Sequence, residues 1–116
     1  MMYELAALAG ESFCYITTAG RVTGRPHTVE MWFAMHGRSI YMLAGDHGSD
    51  WVKNTRRTPA VSVRIGGHTF PGAGRVVAGQ EEDALARRLV LEKYQPGYGE
   101  DLTDWNRAAL VVAIDL

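Results

Sequence analysis

Ala60-Val61-Ser62-Val63-Arg64-Ile65-Gly66-Gly67-His68 is the stretch from which the fold is read. Val61, Val63 and Ile65 alternate with Ser62 and Arg64, the period-two pattern of a strand with one buried face. Gly66-Gly67 reads as a two-residue hairpin turn, because glycine accepts the positive φ such turns require. The chain therefore doubles back antiparallel, and His68 to Ala78 is the expected partner strand. Pro71, Gly72 and Gly74 interrupt that partner, which predicts an edge position or a bulge.

The same reading extends outward in both directions. Phe13 to Thr18 is β-rich and forms the first expected strand. Gly20-Arg21-Val22-Thr23-Gly24-Arg25-Pro26 packs two glycines and a proline into a turn. His27 to Met35 reads as one long strand, joined by His36-Gly37-Arg38 to a third strand, Ser39 to Ala44. In that third strand Ile40, Met42 and Ala44 lie on one face and Tyr41 and Leu43 on the other, so both faces are expected to be buried. Ser49 or Asp50 can cap a short helix to about Arg57, which Thr58-Pro59 terminates. Gln80 to Tyr94 is the clearest helix. Its acidic first turn (Glu81, Glu82, Asp83) and Lys93 near its end suit the macrodipole, and Leu85, Leu89, Ala86, Val90 and Tyr94 form its apolar face. Pro96 to Thr103 reads as a loop. Ala108 to Ile114 is an apolar strand and is expected to be central. With a short helix over Tyr3 to Ala9, the order is α-β-β-β-α-β-β-α-β. The expected fold is mainly β: a six-stranded antiparallel β-barrel with flanking helices, its edges removed by closure.

At 116 residues the chain is long enough for one domain, residues 1–116. Cys14 is the only cysteine, which excludes an intrachain disulfide. It lies in a strand interior without an activating base, so it reads as a small buried hydrophobe. His27, His36, His47 and His68 lack metal-ligand spacing, and no metal is expected. No apolar run approaches the roughly 18 residues of a membrane span. Met1 to Gly10 has no basic region of a secretory signal, so a cytoplasmic protein without integral membrane contact is expected. No nucleophile elbow, P-loop or dinucleotide fingerprint occurs, which leaves hydrolysis and nucleotide triphosphate chemistry unsupported.

The net charge of −1 argues against nucleic-acid binding, but it conceals an asymmetry. Phe13 to Ala78 carries eight basic and three acidic residues, a formal +5, and the remainder a formal −6. Those arginines either decorate a solvated face or grip an anionic ligand, for which the planar guanidinium is well shaped. Three groups of residues are candidates. The Gly20 to Pro26 turn offers Arg21, Arg25, the Thr23 hydroxyl and backbone N–H groups such as that of Gly24. In Asp50 to Arg57, Trp51 and Asn54 share a helix face, either to meet a flat ring or as a core anchor and a local cap. Arg57 closes that run. In the strand after the turn, Trp32 is more simply a core residue, and a buried Glu30 would need His27 or Arg25 as partner.

The run Ile16-Thr17-Thr18-Ala19-Gly20-Arg21-Val22-Thr23-Gly24-Arg25-Pro26 resembles the T-T-x-G-R-x-[ST]-G-x-P turn of the deazaflavin-dependent nitroreductase family. Asp50-Trp51-Val52-Lys53-Asn54 and Pro59-Ala60-Val61-Ser62-Val63 follow at that family's spacing, as its W-x-x-N and P-x-V-x-V. The likeness covers about Tyr15 to Val77. It implies the FMN-binding split-barrel fold, related to pyridoxamine 5′-phosphate oxidases, and coenzyme F-420, a deazaflavin bearing a phosphate and a polyglutamate tail. It implies further that Arg21 to Gly24 face the phosphate and tail, that Trp51 and Asn54 lie near the cofactor, and that Val29 to Trp32 run beside its ring. Val22 stands where many relatives have lysine, and His27 where many have arginine. The implied activity is hydride transfer from reduced F-420 to a small electrophilic acceptor (a quinone, enone or nitro compound), in a homodimer; the accompanying proton would come from solvent or from a nearby residue such as His27 or Tyr41. The alternatives are an FMN-using oxidoreductase on the same fold and a non-catalytic flavin, haem or tetrapyrrole carrier.

Overall fold

The computed structural model describes residues 2–116. Helix α1 (Met2–Ala7) and a 3-10 turn (Leu8–Gly10) lead into strand β1 (Cys14–Ala19). Strands β2 (Pro26–Met31), β3 (Ala34–His36) and β4 (Ser39–Ala44) follow, then helix α2 (Asp50–Arg57), β5 (Ala60–Ile65) and β6 (His68–Val76). Helix α3 (Gln80–Tyr94), a 3-10 turn (Gln95–Gly97), helix α4 (Thr103–Ala108) and β7 (Leu110–Asp115) complete the chain.

All strands belong to one antiparallel sheet of order β2-β1-β5-β6-β7-β4-β3. That order has a geometric consequence. β2 and β3 stand at opposite ends of the sheet, yet only Trp32 and Phe33 separate them in the chain. A flat sheet of seven strands would hold its edges about 29 Å apart, whereas three Cα steps reach about 11 Å at most. The sheet must therefore curl until its edges approach each other, and the described residues form a half-barrel that is split at Trp32-Phe33. Seven strands replace the expected six because the segment His27 to Met35 breaks here. Phe33 is fully buried, and its backbone is bonded by side chains of α3 instead of a strand ladder. The Tyr94 hydroxyl accepts the Phe33 N–H at 2.9 Å and lies 3.0 Å from its carbonyl, while Lys93 Nζ donates to that carbonyl at 2.9 Å and to Glu11 O at 2.7 Å.

The core has two layers. Inside the curl, Cys14, Ile16, Ile40, Met42, Val63 and Ile114 meet Trp51 and Val52 of α2, which packs into the interior. Outside it, Tyr41, Leu43, Val111 and Ala113 pack beneath Ala86 and Val90 of α3. β4 and β7 are thus buried on both faces, as their unbroken apolar sequence requires.

The Gly66-Gly67 hairpin forms as read, with both glycines at positive φ (54° and 83°). The edge position expected for β6 does not hold: β6 lies between β5 and β7. Pro71 is tolerated because pairing with β7 begins only at Ala73. The glycines are there for close approach. A Cβ at Gly72 would lie 2.6 Å from Ile114 Cγ2, and one at Gly74 would lie 2.3 Å from Thr55 Cγ2. Helix α4 was not expected, and the last strand starts at Leu110 rather than Ala108. The side chain of Arg87 reaches the Asn106 and Ala109 carbonyls at 2.5 and 2.8 Å, satisfying the end of that short helix. No helix among the described residues is long and apolar enough to cross a membrane.

Candidate functional site

The turn joining β1 to β2 is shaped by two glycines with different tasks. Gly24 sits at φ 75°, a conformation that only glycine adopts freely. Its N–H donates to Gly20 O at 2.8 Å, and the Gly20 N–H donates to Arg25 O at 2.8 Å. At Gly20 the constraint is space: a Cβ would lie 2.9 Å from His27 Nε2 and 3.1 Å from Arg25 O. Thr23 Oγ1 accepts the Arg25 N–H at 3.3 Å. The turn is therefore held by its own backbone.

Opposite the turn stands α2, and Arg21 joins the two. Asn54 is 2% exposed. Its side-chain oxygen accepts the Arg21 backbone N–H at 3.1 Å and Arg21 Nη1 at 3.0 Å. Its amide donates to Thr18 Oγ1 at 3.2 Å, and Thr18 is also buried. On the solvent side, Arg21 Nη2 donates to Asp50 Oδ1 at 3.1 Å. Between turn and helix lies an open cleft of about 230 Å³, lined by Gly20, Arg21, Val22, Thr23, His27, Asp50 and Asn54.

This cleft gathers Arg21, Thr23, His27 and Asn54 from the residues the sequence singled out. Gly24 faces a neighbouring groove of about 300 Å³ with Thr17 and Ser62. Arg25 and Arg57 are exposed and lie outside the cleft lining. Trp51 faces inward as a core anchor, 7% exposed. Glu30 is exposed and accepts the Tyr15 hydroxyl at 2.8 Å, so the burial that would have called for His27 or Arg25 as partner does not arise. The reason is its face: β2 is an edge strand, Glu30 points to solvent, and a solvated carboxylate needs no cation. Tyr41 is likewise remote from the cleft, buried beneath α3 with its hydroxyl donating to Glu82 at 2.8 Å. Asp50 was not anticipated as a site residue. It lies 29 positions from Arg21, and no local pattern reveals such a pair.

Trp32 belongs to a second locality. It follows the last residue of β2, about 20 Å along the strand from the turn. Its ring stacks on Tyr94 at 4.4 Å between centroids, with an interplanar angle of 3°. Tyr98 and Trp105 meet it edge-on at 5.5 and 5.7 Å. Such pairs contribute about 0.5–1.5 kcal/mol each beyond area burial. Trp32 lines a groove of about 350 Å³ with Ser12, Phe13, Lys93, Tyr94 and Tyr98. Burial lowers the Lys93 ammonium to about 8. Burial also raises the Tyr94 phenol to about 12, so Tyr94 stays neutral and able to donate at physiological pH. Val29 and Met31, between the two localities, pack against the interior core.

The model of a family described as F420H(2)-dependent quinone reductase matches residues 4–115. No curated protein matches the sequence significantly. Solved structures share the fold. A conserved hypothetical protein of Mycobacterium tuberculosis aligns with TM-score 0.78 and 23% identity, over 98% of this chain and 79% of its own. A structure described as an F420-H2 dependent reductase aligns with TM-score 0.72 and 21% identity, over 90% and 94%. One described as a domain-swapped dimer aligns with TM-score 0.74 and 23% identity, over 90% and 80%. A sequence match spanning nearly the whole chain, on a curled antiparallel sheet, assigns the protein: it belongs to the F420H(2)-dependent quinone reductase family of the FMN-binding split-barrel superfamily, hydride-transfer oxidoreductases that use the deazaflavin F-420.

Proposed function

We propose that the cleft between the Gly20–Arg25 turn and α2 takes the phosphate of F-420, and that the ring lies along β2 toward Trp32. The observation that carries this reading is the Arg21 guanidinium, fixed from behind by the buried Asn54 and lining the cleft in front, where its other contact is the exposed Asp50. The residues present fit an anionic arm. Gly20 lets His27 and the Arg25 carbonyl close against the turn, where a Cβ would clash. Arg21 supplies the cation, and Thr23 and His27 add polar groups at the rim.

When bound, the reduced deazaflavin supplies the hydride, and the chain's residues bind and orient it and exclude water. Arg21 holds the phosphate, with Asn54 and Thr18 fixing the guanidinium. His27, in the cleft lining, is a proton source open to solvent. Trp51 acts through the core, seating α2 in the curl so that Asn54 stays in place. The exposed Arg25 and Arg57 add positive potential around the cleft, Gly24 sets the turn's path, and Glu30 on the outer face of β2 holds Tyr15. The acceptor is a small electrophile of quinone, enone or nitro type, as the family's name indicates for a quinone. The working form is a homodimer, in keeping with the relative described as a domain-swapped dimer.

Fluorescence titration of wild type and Arg21→Ala with F-420 and with FMN tests the placement. Loss of one charge-assisted phosphate contact should weaken F-420 binding about tenfold or more. Unchanged affinity would sink the placement, and retention of FMN with no F-420 binding would replace the cofactor.

A further inference from the structure

We propose that Asp50 is a displaceable counter-ion: it keeps Arg21 pre-set while the cleft is empty, and a ligand's phosphate must take its place. This deepens the reading above and rests on it. The two groups that hold the guanidinium differ in kind. Asn54 is 2% exposed and cannot turn away without stranding the buried Thr18 hydroxyl. Asp50 makes one contact, at 3.1 Å, from a side chain that is 82% exposed. It can therefore rotate into water at little cost. Among the described residues it is also the only acid lining the cleft, and it takes up one donor of the guanidinium, at Nη2.

A second anion on that guanidinium would repel Asp50, and among the described residues Arg21 is the only arginine or lysine lining the cleft. Val22, at the tip of the turn, is 89% exposed and uncharged. An anion held in the cleft can accept from the guanidinium and from the polar groups of the turn together, whereas Asp50 makes a single exposed contact. Asp50 has a second reason to be where it is, since an acid in the first turn of α2 complements the helix macrodipole.

The test is a titration of F-420 into wild type, Asp50→Asn, Arg21→Ala and the double variant, at low salt, with FMN as a second probe. Asp50→Asn should bind F-420 about three- to fivefold more tightly than wild type, the range an exposed ion pair allows. In the Arg21→Ala background the same substitution should change affinity less than twofold, because the masked donor is gone. Asp50→Ser, which keeps a good residue for the start of a helix, should move affinity in the same direction. Equal or weaker binding by Asp50→Asn overturns the counter-ion role alone. An equal gain in both backgrounds overturns it too, as simple repulsion that bypasses Arg21. Absence of F-420 and FMN binding by wild type would refute the cofactor placement itself.

Discussion

Replacing Asn54 by alanine removes the side chain on which the candidate site is built, and the cost can be worked from its contacts. Two bonds to Arg21 are lost, at 3.1 and 3.0 Å, and one to Thr18, at 3.2 Å. Each is worth about 1 kcal/mol net. The buried Thr18 hydroxyl loses its partner, whereas water can reach the Arg21 side, where the side chain is 34% exposed. The balance is a destabilisation of about 2–3 kcal/mol, equivalent to a Tm lower by about 10 °C for a domain of this size. Binding should suffer separately, because Arg21 would then be held only by the exposed Asp50. A loss of about tenfold in F-420 affinity corresponds to about 1.4 kcal/mol. Urea unfolding gives the first quantity, and fluorescence titration below the unfolding range gives the second. A variant within about 0.5 kcal/mol of wild type would mean that the three bonds do not organise the site. A variant that loses stability but binds F-420 normally would make Asn54 structural only.

Two further perturbations probe the frame. Gly74→Ala places a Cβ 2.3 Å from Thr55 Cγ2 and 3.1 Å from Ile114 Cδ1, and overpacking of this kind costs about 1–3 kcal/mol. Thr55→Ser in the same chain should recover part of it, and urea unfolding of the single and double variants would expose the reasoning as wrong if no recovery occurred. At the outer rim, Arg75 donates to Glu82 at 2.6 and 2.7 Å and to Asp115 at 2.7 and 3.2 Å. These hydrogen bonds hold both carboxyls below their ordinary values. A depressed carboxyl stabilises the fold above its unfolded pKa, about 4, and loses that contribution as pH falls through the folded value. Arg75→Met should therefore cost about 1 kcal/mol at pH 7, discounted for exposure. The gap from wild type should persist to about pH 5 and close below about pH 4. A pH-independent gap in unfolding free energy would contradict the ion-pair account.

Much of the fold was legible because the signals were local. The Gly66-Gly67 hairpin depended on residues that touch each other. α3 matched its expected bounds, Gln80 to Tyr94, because charge at its ends and apolar spacing agreed. β4 and β7 declared their double burial in their composition. The turn from Gly20 to Pro26 was recognisable as a candidate site for the same reason, since its glycines and arginines are neighbours in the chain.

The remainder depended on which strands become neighbours. His27 to Met35 reads as one strand, and nothing within it says that its two ends pair at opposite edges of a curled sheet. The break at Trp32-Phe33 is decided by Lys93 and Tyr94, about 60 residues away. β6 looked like an edge strand because glycine and proline weaken an isolated strand, whereas here the glycines admit Ile114 and Thr55. Trp51 and Glu30 were ambiguous until burial separated them: one entered the core and the other faced water. The sequence by itself determined the strands, the main helix and the charged turn, through backbone preference and period. Only the tertiary structure decided that Arg21 would lie between a buried amide and an exposed carboxylate, because that requires the curl of the sheet to bring β1 and α2 together.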